Sequence, residues 1–215
     1  MIVYFFCLRI KNRPSCYDHF YPLVNSSSKH SNNLNSLKGC RFIGMKFYDT
    51  SALLDLPPDT LLAQQFLIAD ITLYELEDIK TSGKKDEATK AKARIVTRLL
   101  AEHPAAYTVV SIDYPQLLSI LNDVPVKDNN DGTIMAAARW YLNELIEKKE
   151  DAEKIQTRAG VFEKSAADEL VAKTTADVDS FCFVTSDLSC FNLAQRIMKL
   201  PCELSLDRGG AHNDY

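Results

Sequence analysis

A chain of 215 residues that is 46% hydrophobic and 25% charged can bury a sizeable core within one domain. Its formal net charge of −4 and pI of about 5.6 exclude an ordinary basic nucleic-acid-binding domain, and no apolar run is long enough to span a membrane. The six cysteines contain no C-x-x-C pair, which points to buried free thiols in a reducing cytoplasm.

The first 44 residues differ in composition from the rest. They hold six of the 25 Lys/Arg, one of the 29 Asp/Glu, three of the cysteines (Cys7, Cys16 and Cys40) and the polar stretch "NSSSKHSNNLNS". The opening "MIVYFFCL" lacks a basic n-region and a small-residue cleavage site, so it does not read as a secretory signal. Met45 stands directly before the first strand-like run. The break predicts that residues 1–44 are a disordered extension, or an upstream in-frame translation of a gene starting at Met45. Residues 45–215 are the expected folded domain.

From Met45 strands and helices alternate. "MKFYDT" reads as a strand, and "SALLDL" as a helical turn stopped by Pro57 and Pro58. "QQFLIAD" is a second strand and "TLYELEDIKTS" a helix broken at Gly83. "DEATKAKARIVTRLLAEH" places Ala91, Ile95 and Leu99 at helical spacing on a charged background. "AYTVVSID", ending at Asp113, is a β-branched strand, and "PQLLSILND" a short helix. "DGTIMAAARWYLNELIEKKEDAEK" predicts a long helix, "SFCFVTSD" an apolar strand, "LSCFNLAQRIMKL" a helix and "CELSL" a last short strand. Such alternation implies a parallel sheet with helices on its faces.

Four carboxylates fall at or just after the expected strand-to-helix junctions: Asp49, Glu75, Asp131 and Asp187. Each has an ordinary explanation. Asp49 can cap the turn that follows it. Thr72 and Glu75 fit a T-x-x-E capping box. Asp131 precedes a long apolar-faced helix, and Ser186 or Asp187 can cap the helix at Leu188. The joint pattern says more. In a parallel α/β sheet the carboxyl ends of all strands open onto one edge, where ligands bind. Folding is therefore expected to bring four carboxylates to one rim. Two unit charges about 4 Å apart repel by about 1 kcal/mol in bulk water and about 4 kcal/mol at an effective dielectric of about 20, so such a rim calls for a cation. All-oxygen ligands select Mg²⁺ or Mn²⁺, and no Cys/His set has zinc spacing.

Other motifs near "KDNNDGT" fail. A calcium loop with Gly132 at its sixth position would begin at Lys127 and end at Ala138, neither of which supplies the required ligand. A haloacid-dehalogenase-type phosphotransferase needs an aspartate where Asn129 stands, at the end of a buried strand that "VPVK" does not supply.

From Met45 to about Leu206 the chain resembles a PIN domain. The resemblance rests on "FYDTSALL", "ITLYELEDIK", "NDGTIMAAA" and "VTSD", in the family's order. It implies a Rossmann-like three-layer α/β/α fold with a central parallel sheet. It also implies a nuclease using one or two Mg²⁺ or Mn²⁺ ions, usually on RNA, leaving 3′-hydroxyl and 5′-phosphate ends. Asp49, Glu75, Asp131 and Asp187 take the family's acidic positions, with Thr185 and Asn130 in support. Lys80, Lys84, Lys85 and Arg139 are the candidate substrate-binding cations. The expected activity is an endoribonuclease on single-stranded RNA, as a toxin with an antitoxin partner or as a standalone enzyme, with homo-oligomerisation left open. A non-catalytic RNA- or protein-binding module and a structure-specific DNA nuclease are the alternatives. The chain departs from the family by a charged, helical insertion from Asn143 to Asp179, readable as a lid, a partner surface, a substrate guide or a solvated hairpin.

Overall fold

Side-chain alternation along three short strands sorts the described residues into layers. The computed structural model describes residues 45–122 and 129–205. The expected extension over residues 1–44, the "VPVK" run and the last residue of "CELSL" lie outside them. In the described residues β1 (Lys46–Tyr48), β2 (Phe66–Ala69), β3 (Tyr107–Val110), β4 (Cys182–Thr185) and β5 (Cys202–Leu204) form one parallel sheet in the order β3-β2-β1-β4-β5.

Successive residues of a strand point to opposite faces. Phe47, Leu67 and Phe183 face one side, where they pack with α6 (Asn130–Arg158), α8 (Leu188–Arg196) and, at its margin, α5 (Tyr114–Leu121). Tyr48, Phe66, Ile68 and Val184 face the other side. There they meet α1 (Thr50–Asp55), α2 (Pro58–Leu62), α3 (Asp70–Thr81) and α4 (Glu87–Glu102). The fold is therefore a three-layer, Rossmann-like α/β/α sandwich with a parallel sheet, as the alternation predicts. The run Ala136-Ala137-Ala138 is fully buried on α6, and small side chains there bring the helix close to the sheet.

Winding direction reverses beside β1. The chain steps from β1 to β2 and β3 on one side, then returns to β4 and β5 on the other. Crevices at the carboxyl ends of the strands flanking such a reversal are the ligand sites of open α/β sheets. Here those strands are β1 and β4.

The expected insertion is helical but is not a separate graft. Helix α6 runs unbroken for 29 residues, about 44 Å at 1.5 Å per residue, against about 13 Å for a four-residue strand. It starts at the carboxyl edge and passes the amino edge where Tyr141 stacks on Phe181, the residue before β4 (centroids 6.3 Å apart). Its far half pairs with α7 (Lys164–Ser180), which returns the chain to β4. The hairpin therefore projects away from the carboxyl edge. That direction rules out a lid over the rim and gives no support to an arch around a DNA flap.

Candidate active site at the carboxyl edge

Asp49 follows β1 directly, and its N–H still donates to the Val184 carbonyl of β4 at 3.0 Å. Its side chain is buried, 5% exposed. Oδ1 accepts the Ser51 N–H at 3.1 Å, which is the cap of α1. Oδ2 accepts two hydroxyls, Ser51 Oγ at 2.8 Å and Thr185 Oγ1 at 2.5 Å. A buried carboxylate is costly unless its oxygens are satisfied, and these three donors satisfy it. Ser51 Oγ also lies 3.1 Å from Thr185 Oγ1 and accepts the Ser186 N–H at 2.9 Å, tying β1 to β4 at the reversal point. Sequence reasoning gave Thr50 and Ser51 no role; two hydroxyls directly after a strand-end carboxylate were the available signal.

Asp187, not Ser186, caps α8. Its Oδ1 accepts the N–H groups of Ser189 and Cys190 at 2.6 and 2.9 Å, and its own N–H donates to Thr185 Oγ1 at 3.1 Å. The Ser186 hydroxyl is left buried with no hydrogen-bond partner.

The capping explanations for the other two carboxylates fail. Helix α3 begins at Asp70, two residues before Thr72, because β2 ends at Ala69. Thr72 therefore lies inside the helix, its hydroxyl buried and unpartnered, and no capping box forms. Glu75 instead accepts a hydrogen bond from the Thr50 hydroxyl. Helix α6 begins at Asn130, and its cap is Asn129, whose side-chain oxygen accepts the Gly132 N–H at 3.0 Å. Asp131 sits in the first turn with no capping duty. Asn129→Ala is accordingly expected to lower stability by about 1 kcal/mol, while Asp131→Ala leaves it unchanged or higher; chemical denaturation of both variants checks this.

The carboxylates feel one another. Burial raises the Glu75 pKa above its ordinary 4.5, and the negative charges of Asp131 and Asp49 add to the rise, while Thr50 and Asn130 oppose it. Burial likewise raises Asp131 above its ordinary 3.8, followed by the charges of Asp49 and Asp187. Cys190 reports the same convergence. Burial pushes its thiol far above the usual range, with Asp49, Asp131 and Asp187 all contributing, so it is no nucleophile.

A carboxylate whose pKa is raised by folding binds more protons folded than unfolded, so stability falls as pH rises through that window. Without divalent metal, the protein is expected to melt higher just above the ordinary carboxylate range than at neutral pH. Mn²⁺ is expected to raise the melting temperature at neutral pH and to lose that effect as Glu75 and Asp131 take up protons. Melting curves across pH with and without Mn²⁺ check both signs.

The cations expected to hold substrate are placed unevenly. Lys80 is engaged with Glu77 on its own helix at 2.8 Å. Arg139 donates to the Lys199 carbonyl at 3.3 Å and lies about 12 Å down α6 from Asp131, so it serves the turn before β5 rather than the rim. Lys84 and Lys85 are exposed in the loop between α3 and α4. Because α4 ends four residues before the amino end of β3, its beginning and that loop open toward the carboxyl edge.

A hard divalent cation fits the donor chemistry of this rim. The donors are carboxylate and hydroxyl oxygens, burial with mutual repulsion added raises two of the carboxyl pKa values, and the Ser186 hydroxyl is a buried orphan. Spacing is looser than chemistry. Among the described residues, no three His, Cys, Asp or Glu side chains stand close enough to hold a metal as they lie. As they lie, Asp49 is engaged by Ser51 and Thr185, Asp187 by Ser189, and Glu75 by Thr50.

No family model, curated protein or solved structure matches this chain. Its functional reading therefore rests on the rim itself.

Proposed function

We propose that this chain is a Mg²⁺- or Mn²⁺-dependent endoribonuclease of the PIN type, hydrolysing phosphodiester bonds of single-stranded RNA. One observation carries the reading: Glu75 and Asp131 cap nothing, yet share the electrostatic field of Asp49 at the point where the sheet's winding reverses. Asp49, Glu75, Asp131 and Asp187 would hold the cation. When bound, it would supply a Lewis acid for the phosphate and ease deprotonation of the attacking water.

The chain's own residues prepare that site. Thr185 and Ser51 fix the Asp49 carboxylate, and Thr50 fixes Glu75. Asn129 takes over the capping of α6, which leaves Asp131 available. The amino ends of α6 and α8 both reach the rim, and their positive dipole ends favour a phosphate there. Lys84 and Lys85, exposed in the loop between α3 and α4, would hold the backbone beyond it. A cytoplasmic toxin with an antitoxin partner is one setting for such a nuclease.

One observation favours a second reading, a PIN-type binding module without catalysis: the carboxylates stand too far apart, as they lie, to hold a metal. Incubating purified protein with single-stranded RNA, single-stranded DNA and duplexes, with EDTA, Mg²⁺ or Mn²⁺, separates the two. Metal-dependent RNA cleavage that Asp49→Asn abolishes supports the nuclease. RNA retention without cleavage in any metal supports the module.

A further inference from the structure

The turn joining α6 to α7 is chemically out of place. Turn tips favour Gly, Pro, Asn, Asp and Ser, which satisfy backbone geometry at little cost in water. Here the tip carries Val161 and Phe162, 90% and 101% exposed. Neither packs on its own hairpin. Directly beside them the two helices leave a groove of about 370 Å³, walled by Ile155, Ala159, Ala166 and Leu170, with Arg158 and Glu163 at its sides. Ile155 and Leu170 are themselves 53% and 39% exposed. An apolar knob and an apolar hollow thus sit side by side at the end of an arm that projects beyond the sheet's amino edge.

We infer that this tip is a self-association surface, and that a second copy of the chain occupies the groove with its own Val161–Phe162 knob. Three features select a second copy. Knob and hollow lie on one tip, so a two-fold axis satisfies both at once, as a self-complementary interface requires. Arg158 and Glu163 flank the same groove, so across a two-fold axis each can face its opposite in the other copy. The surrounding charges are mixed, with Lys154, Arg158 and Lys164 against Asp151, Glu163 and Asp168, so two tips meet without the repulsion that a single-sign patch would impose. The arm's projection lets the tips meet with both carboxylate rims left open. An interface confined to one hairpin tip is expected to give a weak, concentration-dependent dimer.

The test is sedimentation velocity of the full-length protein in reducing buffer over a concentration series up to about 1 mM. The expected result is a monomer–dimer equilibrium whose dissociation constant rises by about tenfold or more in Phe162→Glu, as for loss of an interface anchor. Arg158→Glu and Glu163→Arg are each expected to weaken the dimer, and the double variant to restore it. All three positions are at the tip, and circular dichroism identical to the parent confirms that folding is not the cause. A parent monomeric throughout the series overturns the inference. So does a dimer that Phe162→Glu leaves intact, which would place the contact elsewhere on the chain.

Discussion

Asp131→Asn should abolish cleavage and leave the fold standing. Asp131 lies in the first turn of α6 with burial and the charges of Asp49 and Asp187 all acting against its ionised form. The amide keeps the shape and removes the charge. Without metal, relief of that repulsion is expected to leave stability unchanged or raise it by up to about 1 kcal/mol, the interaction of two unit charges about 4 Å apart in water. On the proposed function the same substitution would remove a Mg²⁺ ligand oxygen, and cleavage of single-stranded RNA is expected to fall by about a hundredfold or more. A cap would behave otherwise, since asparagine caps as well as aspartate. The cap is Asn129, so Asn129→Ala supplies the contrast: lower stability, with activity per folded molecule kept. Melting curves and single-turnover cleavage of both variants decide. An Asp131→Asn protein that cleaves like its parent, together with a parent melting temperature indifferent to Mn²⁺, would sink the metal site.

Phe183→Ala is expected to cost about 3–5 kcal/mol of stability. Phe183 is fully buried in the middle of β4, with its ring 6.2 Å from that of Phe47 on the neighbouring strand. It packs in the layer shared with α6 and α8, and the strands on which these rings stand cannot close over the cavity that truncation leaves. The loss propagates to function, because β4 carries Thr185 two residues later and Asp187 just beyond. Urea denaturation should show the midpoint moving with little change in slope. Val109→Ala on the edge strand β3, where the side chain is 39% exposed, is the control and should cost under about 1 kcal/mol. A loss under about 1 kcal/mol for Phe183→Ala would mean that the β4–α6 layer is not the core described here.

Helix boundaries decide which ordinary explanations of the carboxylates hold. Both capping assignments depended on where a helix starts. "TLYELED" fits a capping box only if the helix begins after Thr72, and "NDGT" fits an Asp131 cap only if it begins after Asp131. Local sequence is compatible with either start. The sheet chose, because register with β1 and β3 ends β2 at Ala69 and sends the chain into α3 at once. The supporting hydroxyls were hidden for a related reason. Thr50 meets Glu75 across 25 residues and Ser51 meets Thr185 across 134, and no local pattern encodes such pairs. The partners of the basic residues were equally hidden: Lys80 finds Glu77 one turn away, and Arg139 finds a carbonyl 60 residues on.

The alternation of short apolar runs with amphipathic segments determined, by itself, the parallel sheet, the helical character of the Asn143–Asp179 segment and the place of Asp49, Thr185 and Asp187 at strand ends. These features rest on periodicity and on chain neighbours, which sequence displays directly. Tertiary structure alone decided which carboxylates share a field, which are caps, and which way the α6–α7 arm points. Strand order, helix start and helix length set those outcomes. They follow from long-range packing, in which a single residue's shift at a boundary turns a side chain from solvent toward the rim.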